Sequence, residues 1–516
     1  MASISSLDLR SLALYSTIGL LATLYIKKAV AAWRANPRHL PYPPGPRSLP
    51  LVGNALSIPQ SDTWLTYQEW GRQYGPLVYL TAFGDEIILI NSAKVADDLL
   101  EKRSALYSDR PQNPINPLMG WEANFALMAH GPLWRKHRRL MHQFFKKDSA
   151  ILFHPVQAQK IHDMLRQLLH TPSKFMDHIR TLTGALVLKT MYGYDVKPAG
   201  DPIVELAEDS VTRTGQVFFS TGYMLPWIRF LPRWMPGGGF GKFVADTQVV
   251  VKNMQEVPYQ YAKENLLQGK DSNSVVAQML ETGRGQEGAV DEEMLQSVAA
   301  VLYSAAADTS SSALGTFFLA MALHPDVQKK AQAQIDTVVG HDRLPNPSDR
   351  DQLPYVEAIY REVLRWKPPV VLSLPHGTTE DDIYDGYFIP KGAIVVPNIW
   401  AMCYDESIFP HPEQFTPERF LAPTSSGLTD DPRMDTSAFG HGRRICPGRY
   451  FARDAVWMTI ASVLSAFEVR QKKGVEILGK YTDKFIIHPL PFECDIVPRS
   501  EGARALVEAT AEHGFA

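Results

Sequence analysis

The sequence predicts a mainly α-helical chain with small β-sheets, built as one large domain behind an N-terminal transmembrane helix. Three observations carry this. Helical patterns dominate after the first hundred residues. The stretch Asp291 to His324 is apolar nearly all round after its first turn, as expected of a helix buried through a protein centre. Strand-like pieces are few, short and punctuated by glycine.

The elements follow in chain order. Residues 1–10 form a short tail. Residues 11–33, "SLALYSTIGLLATLYIKKAVAAW", read as a signal-anchor helix. Its uninterrupted apolar part, Leu12 to Ile26, is short for a bilayer, but Lys27 and Lys28 can snorkel and Ala29 to Trp33 extend the helix. Lys27, Lys28, Arg34 and Arg38 follow the span, whereas only Arg10 precedes it, next to Asp8. That asymmetry places the bulk of the chain in the cytosol. Ala29-Val30-Ala31 resembles the cleavage site of a signal peptide, but the preceding lysine pair and the few cysteines argue against secretion. Residues 34–50 form a proline-rich hinge, whose prolines 41, 43, 44 and 46 favour a stiff extended spacer.

Residues 51–516 form the body. "YGPLVYLTAFGDEIILIN" reads as two strands around a Gly-Asp turn, and "GPLWRKHRRLMHQFF" as a basic amphipathic helix. The Asp291–His324 helix spans about 50 Å. Pro325 ends it and opens the next, and "LPYVEAIYREVLRW" is helical up to Pro368-Pro369. "DDIYDGYFIPKGAIVVPNI" reads as short strands, and "RYFARDAVWMTIASVLSAF" as another buried helix.

Composition narrows the function. Of 516 residues, 45% are hydrophobic and 21% charged, as in ordinary globular proteins. A net charge of −3, without a long basic tract, leaves no nucleic-acid footprint. The three cysteines, Cys403, Cys446 and Cys494, are widely spaced and form no C-x-x-C pair, so they build no disulfide framework.

Three local constellations carry chemistry. Asp308-Thr309 interrupts the apolar run of the long helix, and an unpartnered carboxylate there is costly. Ala305, Ala306 and Ala307 leave one helix face thin, which suits a cofactor lying against it, with an acid and a hydroxyl to relay protons. Glu362 and Arg365 stand three apart on one face of an apolar helix, and Arg419 of "FTPERF" can join them in a buried, charge-assisted network. Cys446 lies in "FGHGRRICPG", where Gly442 and Gly448 permit close backbone approach and Arg444 brings fixed charge. A thiolate there can ligate iron, and Arg444 can meet a carboxylate of a flat, anionic, metal-bearing group.

The motifs recur in a fixed order. W-x-x-x-R stands at Trp134 and Arg138, then A-A-x-D-T-S at Ala305 to Ser310 and E-x-x-R at Glu362 to Arg365. P-E-R-F at Pro417 to Phe420 and F-x-x-G-x-R-x-C-x-G at Phe439 to Gly448 follow. Over essentially its whole length the chain resembles the cytochrome P450 family, most closely its membrane-anchored fungal secondary-metabolism members.

The resemblance implies a long central helix over a buried haem b, with Cys446 as axial iron ligand and Phe439 beside its loop. It implies Trp134, Arg138, His376 and Arg444 as propionate partners, Asp308 and Thr309 as the acid–alcohol pair, and Glu362, Arg365 and Arg419 as a structural triad. Ala306 departs from the glycine usual in the family. The implied activity is insertion of one oxygen atom from O2 into a lipophilic small molecule of terpenoid, polyketide or indole type. The expected substrate contacts are Pro111 to Phe125, Phe218 and Phe219, the long helix near Tyr303, Val370 to Leu374, and Phe485 to Ile487.

No dinucleotide-binding fingerprint or fused flavin domain is present, so electrons must come from a partner. The resemblance implies an NADPH-cytochrome reductase, with cytochrome b5 as a further donor. Arg135, Lys136 and Arg139 are candidates for the docking face. It also implies a single pass through the endoplasmic reticulum membrane with the catalytic domain facing the cytosol, and "LPRWMPGGGF" (Leu231 to Phe240) as a segment that dips into the bilayer. Two other readings of the fold are a reductase-independent isomerase or dehydratase and a non-catalytic haem-binding protein. Asp308-Thr309 speaks against both.

Overall fold

The computed structural model describes residues 36–511 except 219, 221–222, 224, 272, 284–290, 423–426, 432–433 and 435–436, with isolated positions 15, 16, 19, 23 and 30 before them. The predicted anchor, 11–33, therefore lies almost wholly outside the described residues. Among those described, no helix is long and apolar enough to cross a membrane.

Local rules set the helix boundaries. The long helix runs Glu292–Leu323, and the Asp291 side chain accepts a hydrogen bond from the Glu293 N–H (3.0 Å), with Glu292 and Glu293 favourably placed in the first turn. Pro325 and Pro354 each occupy the first position of the helices Pro325–Val338 and Pro354–Trp366, where a missing N–H costs nothing. The helix bearing Trp134 and Arg138 spans Pro132–Phe145, and the one after the Cys446 loop spans Arg449–Ala466. The long helix packs against Phe175–Tyr192, Pro202–Phe218 and Arg449–Ala466. Phe317 and Phe318 lie at the centre of the main core.

The strands are β1 (Leu77–Ala82), β2 (Asp85–Ile90), β3 (His376–Gly377), β4 (Asp382–Tyr384), β5 (Tyr387–Ile389), β6 (Ile394–Pro397), β7 (Phe467–Gln471) and β8 (Cys494–Pro498). A four-stranded sheet has the order β1-β2-β6-β3, with β2 and β6 parallel and the outer pairs antiparallel. β4–β5 and β7–β8 are separate antiparallel pairs. The first hairpin turns one residue earlier than the predicted Gly-Asp. Phe83 and Gly84 both have positive φ (49° and 100°), as a two-residue turn of the twist-matching type requires, and Asp85 opens β2.

The proline-rich segment is docked on β1 and β5. The Tyr79 N–H donates to the Pro44 carbonyl (3.1 Å), the Phe388 N–H to that of Pro41 (2.8 Å), and Tyr42 packs on Tyr79 and Phe388.

Candidate haem-binding active site

The long helix is buried from Ser297 to Tyr303 and again from Ser311 to Ala322. Between them, Ser304 to Ser310 is half-exposed or exposed. A helix buried on both sides of such a window has open space beside its middle. Three alanines thin its surface there, and Thr309 donates its hydroxyl hydrogen bond to the Ala305 carbonyl (2.9 Å), the i−4 bond of a mid-helix threonine. Asp308 is not unpartnered. Its Oδ1 lies 2.9 Å from His488 Nε2.

The Cys446 loop is held by its own backbone. The Cys446 N–H donates to the Phe439 carbonyl (2.9 Å) and the Ile445 N–H to that of Gly442 (3.1 Å). Gly442 has φ +60°, and a Cβ there would stand 1.9 Å from the Leu100 carbonyl oxygen, so only glycine fits. Cys446 precedes the Arg449–Ala466 helix, whose N-cap is Gly448. Burial pushes the Cys446 thiol up, whereas the backbone at Gly448 and the nearby Arg138 and Arg449 favour the thiolate.

Arginines crowd the neighbouring wall. Arg138 donates to the Ile445 carbonyl (2.6 Å), next to Cys446. Arg444 donates to the carbonyls of Ser108 (2.8 Å), Phe125 (3.2 Å) and Met128 (2.7 Å), and its guanidinium lies 4.3 Å from the ring centre of Trp134. Arg110, buried and absent from the sequence expectations, donates to the carbonyls of Ala126, Leu374 and Pro375 (2.9, 2.6 and 2.7 Å). Among the described residues none of these three arginines has a carboxylate in ion-pair contact. Burial, with repulsion from Arg444, pushes Arg110 down to about 9, and burial, with repulsion from Arg138, pushes Arg444 down to about 10. Guanidiniums stay charged at neutral pH, so these depressions mark a desolvation cost that the nearby Asp109 offsets only in part. His376 is buried close by. Its Nδ1 donates to the Tyr107 carbonyl (2.8 Å), and burial beside Arg110 holds its pKa well below the usual histidine range.

Glu362, Arg365 and Arg419 come together away from this wall. Arg365 makes two bonds to Glu362 (2.6 and 2.8 Å), and Arg419 Nε approaches the same carboxylate (3.3 Å). Phe439 is half-buried against the main core.

The expected substrate wall is partly assembled. Val370 bridges to Ile486, and the Ile487 N–H donates to the Pro369 carbonyl (2.9 Å). Asn113 and Asn116 both bond to Tyr223, which packs on Phe218, while Phe219 lies outside the described residues. Tyr303 does not line the window. It is fully buried, its hydroxyl donating to the Ile203 carbonyl (3.1 Å), because it projects toward the Pro202–Phe218 helix.

Arg110 and His488 lacked a sequence signal. Arg110 lies in "YSDRPQNP" and His488 in "FIIHPL", and neither spacing marks a ligand or a relay.

The comparisons with known proteins agree. The cytochrome P450 family model matches residues 43–496. Cytochrome P450 monooxygenase 208 of Postia placenta is 41% identical, over 92% of this chain and 93% of its own. Cytochrome P450 monooxygenase COX1 of Coprinopsis cinerea is 38% identical, over 94% and 96%. A zebra fish cytochrome P450 solved with abiraterone superposes with a TM-score of 0.69 over 85% of this chain and all of that one, at 22% identity, which bears on the fold alone. The chain belongs to the cytochrome P450 family of monooxygenases, whose members bind haem b through a cysteine thiolate and need O2, a substrate and an electron-donating partner.

Proposed function

We propose that this chain is a membrane-anchored monooxygenase of fungal secondary-metabolite biosynthesis that oxidises a lipophilic terpenoid, polyketide or indole-type molecule. The observation that carries the site assignment is the cluster of Arg110, Arg138 and Arg444, three cations with no ion-paired carboxylate among the described residues, beside a half-buried cysteine just before a helix N-terminus. A flat metal-bearing group with two carboxylates answers both needs, and haem b is such a group. When bound, haem b supplies the iron at which O2 is activated.

The chain's own residues then have distinct tasks. Cys446 would hold the iron through its thiolate, and Arg110, Arg138, Arg444, Trp134 and His376 would meet the propionates. Phe439 accepts the Cys446 N–H and shapes the loop. Thr309, on releasing its bond to Ala305, can hold a water, and Asp308 can pass protons toward it. Ala306 narrows the helix groove where a glycine would widen it. Glu362, Arg365 and Arg419 hold the fold.

The domain division is 1–10, 11–33, 34–50 and 51–516, with the span 11–33 anchoring the chain in the endoplasmic reticulum and the body in the cytosol. Trp227 (58% exposed), Phe230 (74%) and Trp234 (83%) support membrane contact beside Leu231 to Phe240, because large apolar side chains so exposed favour an interface. Arg135, Lys136 and Arg139 are exposed and make no ion pair among the described residues, which suits docking of an acidic reductase face. NADPH-cytochrome reductase is the proposed donor, with cytochrome b5 as a second.

The deciding experiment is the absorption of the reduced, carbon monoxide-bound protein. A band near ~450 nm is expected, as thiolate ligation requires. Cys446→Ser should abolish it, and Cys403→Ser or Cys494→Ser should leave it. Dependence on either of the other two cysteines would overturn the assignment.

A further inference from the structure

Asp308, Ser312 and Thr316 recur every four residues and lie along one face of the long helix. Each meets one C-terminal segment. Asp308 meets His488 (2.9 Å), Ser312 donates to the Ile487 carbonyl, and Thr316 Oγ1 accepts from the Tyr481 hydroxyl (3.0 Å). The segment is closed on itself. The His488 N–H donates to Thr482 Oγ1 (2.9 Å), and the His488 carbonyl accepts from the Thr482 N–H (2.8 Å). It also carries Phe485 to Ile487, part of the proposed substrate wall.

The Asp308–His488 contact differs from the other two. Ser312 and Thr316 are fully buried and make neutral bonds, whereas the Asp308 and His488 side chains are 35% and 23% exposed, and Asp308 directly precedes Thr309 in the helix. His488 Nε2 lies within ion-pair reach of Oδ1, and because a carboxylate only accepts, Nε2 is the atom that can donate there. Oδ2 makes no bond to protein among the described residues and is left to exchange a proton with water. Other charges face Asp308 from neighbouring helices. Glu208, on Pro202–Phe218, feels its charge and is raised by burial and by that repulsion, and Arg180, Glu205 and Asp177 lie around Glu208.

We propose that His488 is a positioning residue for proton delivery, fixing the Asp308 carboxylate beside Thr309 and tying it to the strap that walls the substrate side. The inference rests on the monooxygenase reading above. With reductase and NADPH but no added substrate, O2 leaves as hydrogen peroxide at one NADPH per O2, or as water at two. Only the water route needs protons delivered after peroxide could have left.

The wild type should therefore consume more than one NADPH per O2. His488→Ala should raise the peroxide-to-water ratio by about tenfold, the size expected for one hydrogen bond to a charged group. His488→Gln, whose amide N–H can still donate, should restore most of the difference. Asp308→Asn should raise peroxide too, and adding His488→Ala to it should change nothing further. Unfolding midpoints of the wild type, His488→Ala, Asp308→Asn and the double variant should show the same non-additivity, which needs no turnover. If His488→Ala loses haem, His488→Gln against His488→Leu gives the comparison at matched size, and only leucine should raise peroxide. Four results overturn the proposal: an unchanged ratio at matched haem content, failure of glutamine to rescue, additive effects with Asp308→Asn, or a wild type already at one NADPH per O2. Absence of the ~450 nm band or of NADPH-dependent O2 uptake in the wild type would instead sink the monooxygenase reading.

Discussion

Replacing Glu362 with alanine tests the buried charge network. The carboxylate accepts four hydrogen bonds: two from Arg365 (2.6 and 2.8 Å), one from Arg419 (3.3 Å) and one from the Thr416 N–H (2.8 Å). Arg365 and Glu362 are both fully buried. In Glu362→Ala the Arg365 guanidinium keeps only the carbonyls of Cys403 (3.0 Å) and Gln414 (3.2 Å), with no counter-charge. Stranding a buried charge in this way costs about 3–5 kcal/mol. Unfolding entropy scales with length and reaches about 1 kcal/mol per degree for a body of this size. The midpoint should therefore fall by only about 3–5 °C. The local effect should be larger, because the same carboxylate pins the Gln414–Arg419 loop through Thr416. Scanning calorimetry gives the midpoint, and the carbon monoxide difference spectrum gives the fraction retaining thiolate-bound haem. Lys472–Glu493 is an equally short pair (2.6 Å) but exposed on the surface, and Lys472→Ala should change neither measurement. A Glu362→Ala protein that unfolds with the wild type and keeps its haem would refute the reasoning.

Three further outcomes are expected. Thr309→Ala removes the hydroxyl at little cost to helix propensity, so haem content should hold while product per NADPH falls on the order of tenfold and peroxide rises; unchanged coupling would remove Thr309 from the relay. His130, His137, His162, His178, His324 and His376 all have pKa values lowered chiefly by burial. As pH falls below the ordinary histidine value of about 6.5, the unfolded chain takes up protons that the fold refuses, so the urea midpoint should drop between neutrality and pH ~5; a flat profile there would contradict it. Deleting residues 1–38 should leave a folded haem protein with weaker membrane attachment, and loss of haem on truncation would show that the anchor is not separable.

The sequence by itself determined whatever depends on near neighbours in the chain. Composition and caps delimit the long helix, since a run that is apolar all round has no stable place except a core. Glu362 and Arg365 share a helix face at any tertiary arrangement, because they stand three residues apart. The Cys446 loop is contiguous from Phe439 to Gly448, so its glycines and its cysteine are read together. Tertiary structure alone decided which distant groups meet. Arg444 bonds the Ser108 carbonyl across 336 positions, Arg110 reaches Leu374 across 264, and His488 meets Asp308 from the far end of the chain. It also turned Tyr303 into the core and laid the proline segment against β1 and β5. The physical reason is that periodicity and capping act within one or two helical turns. The partner of a buried charge is instead whichever group packing brings to it, and a lone arginine or histidine in a sequence carries no mark of that partner.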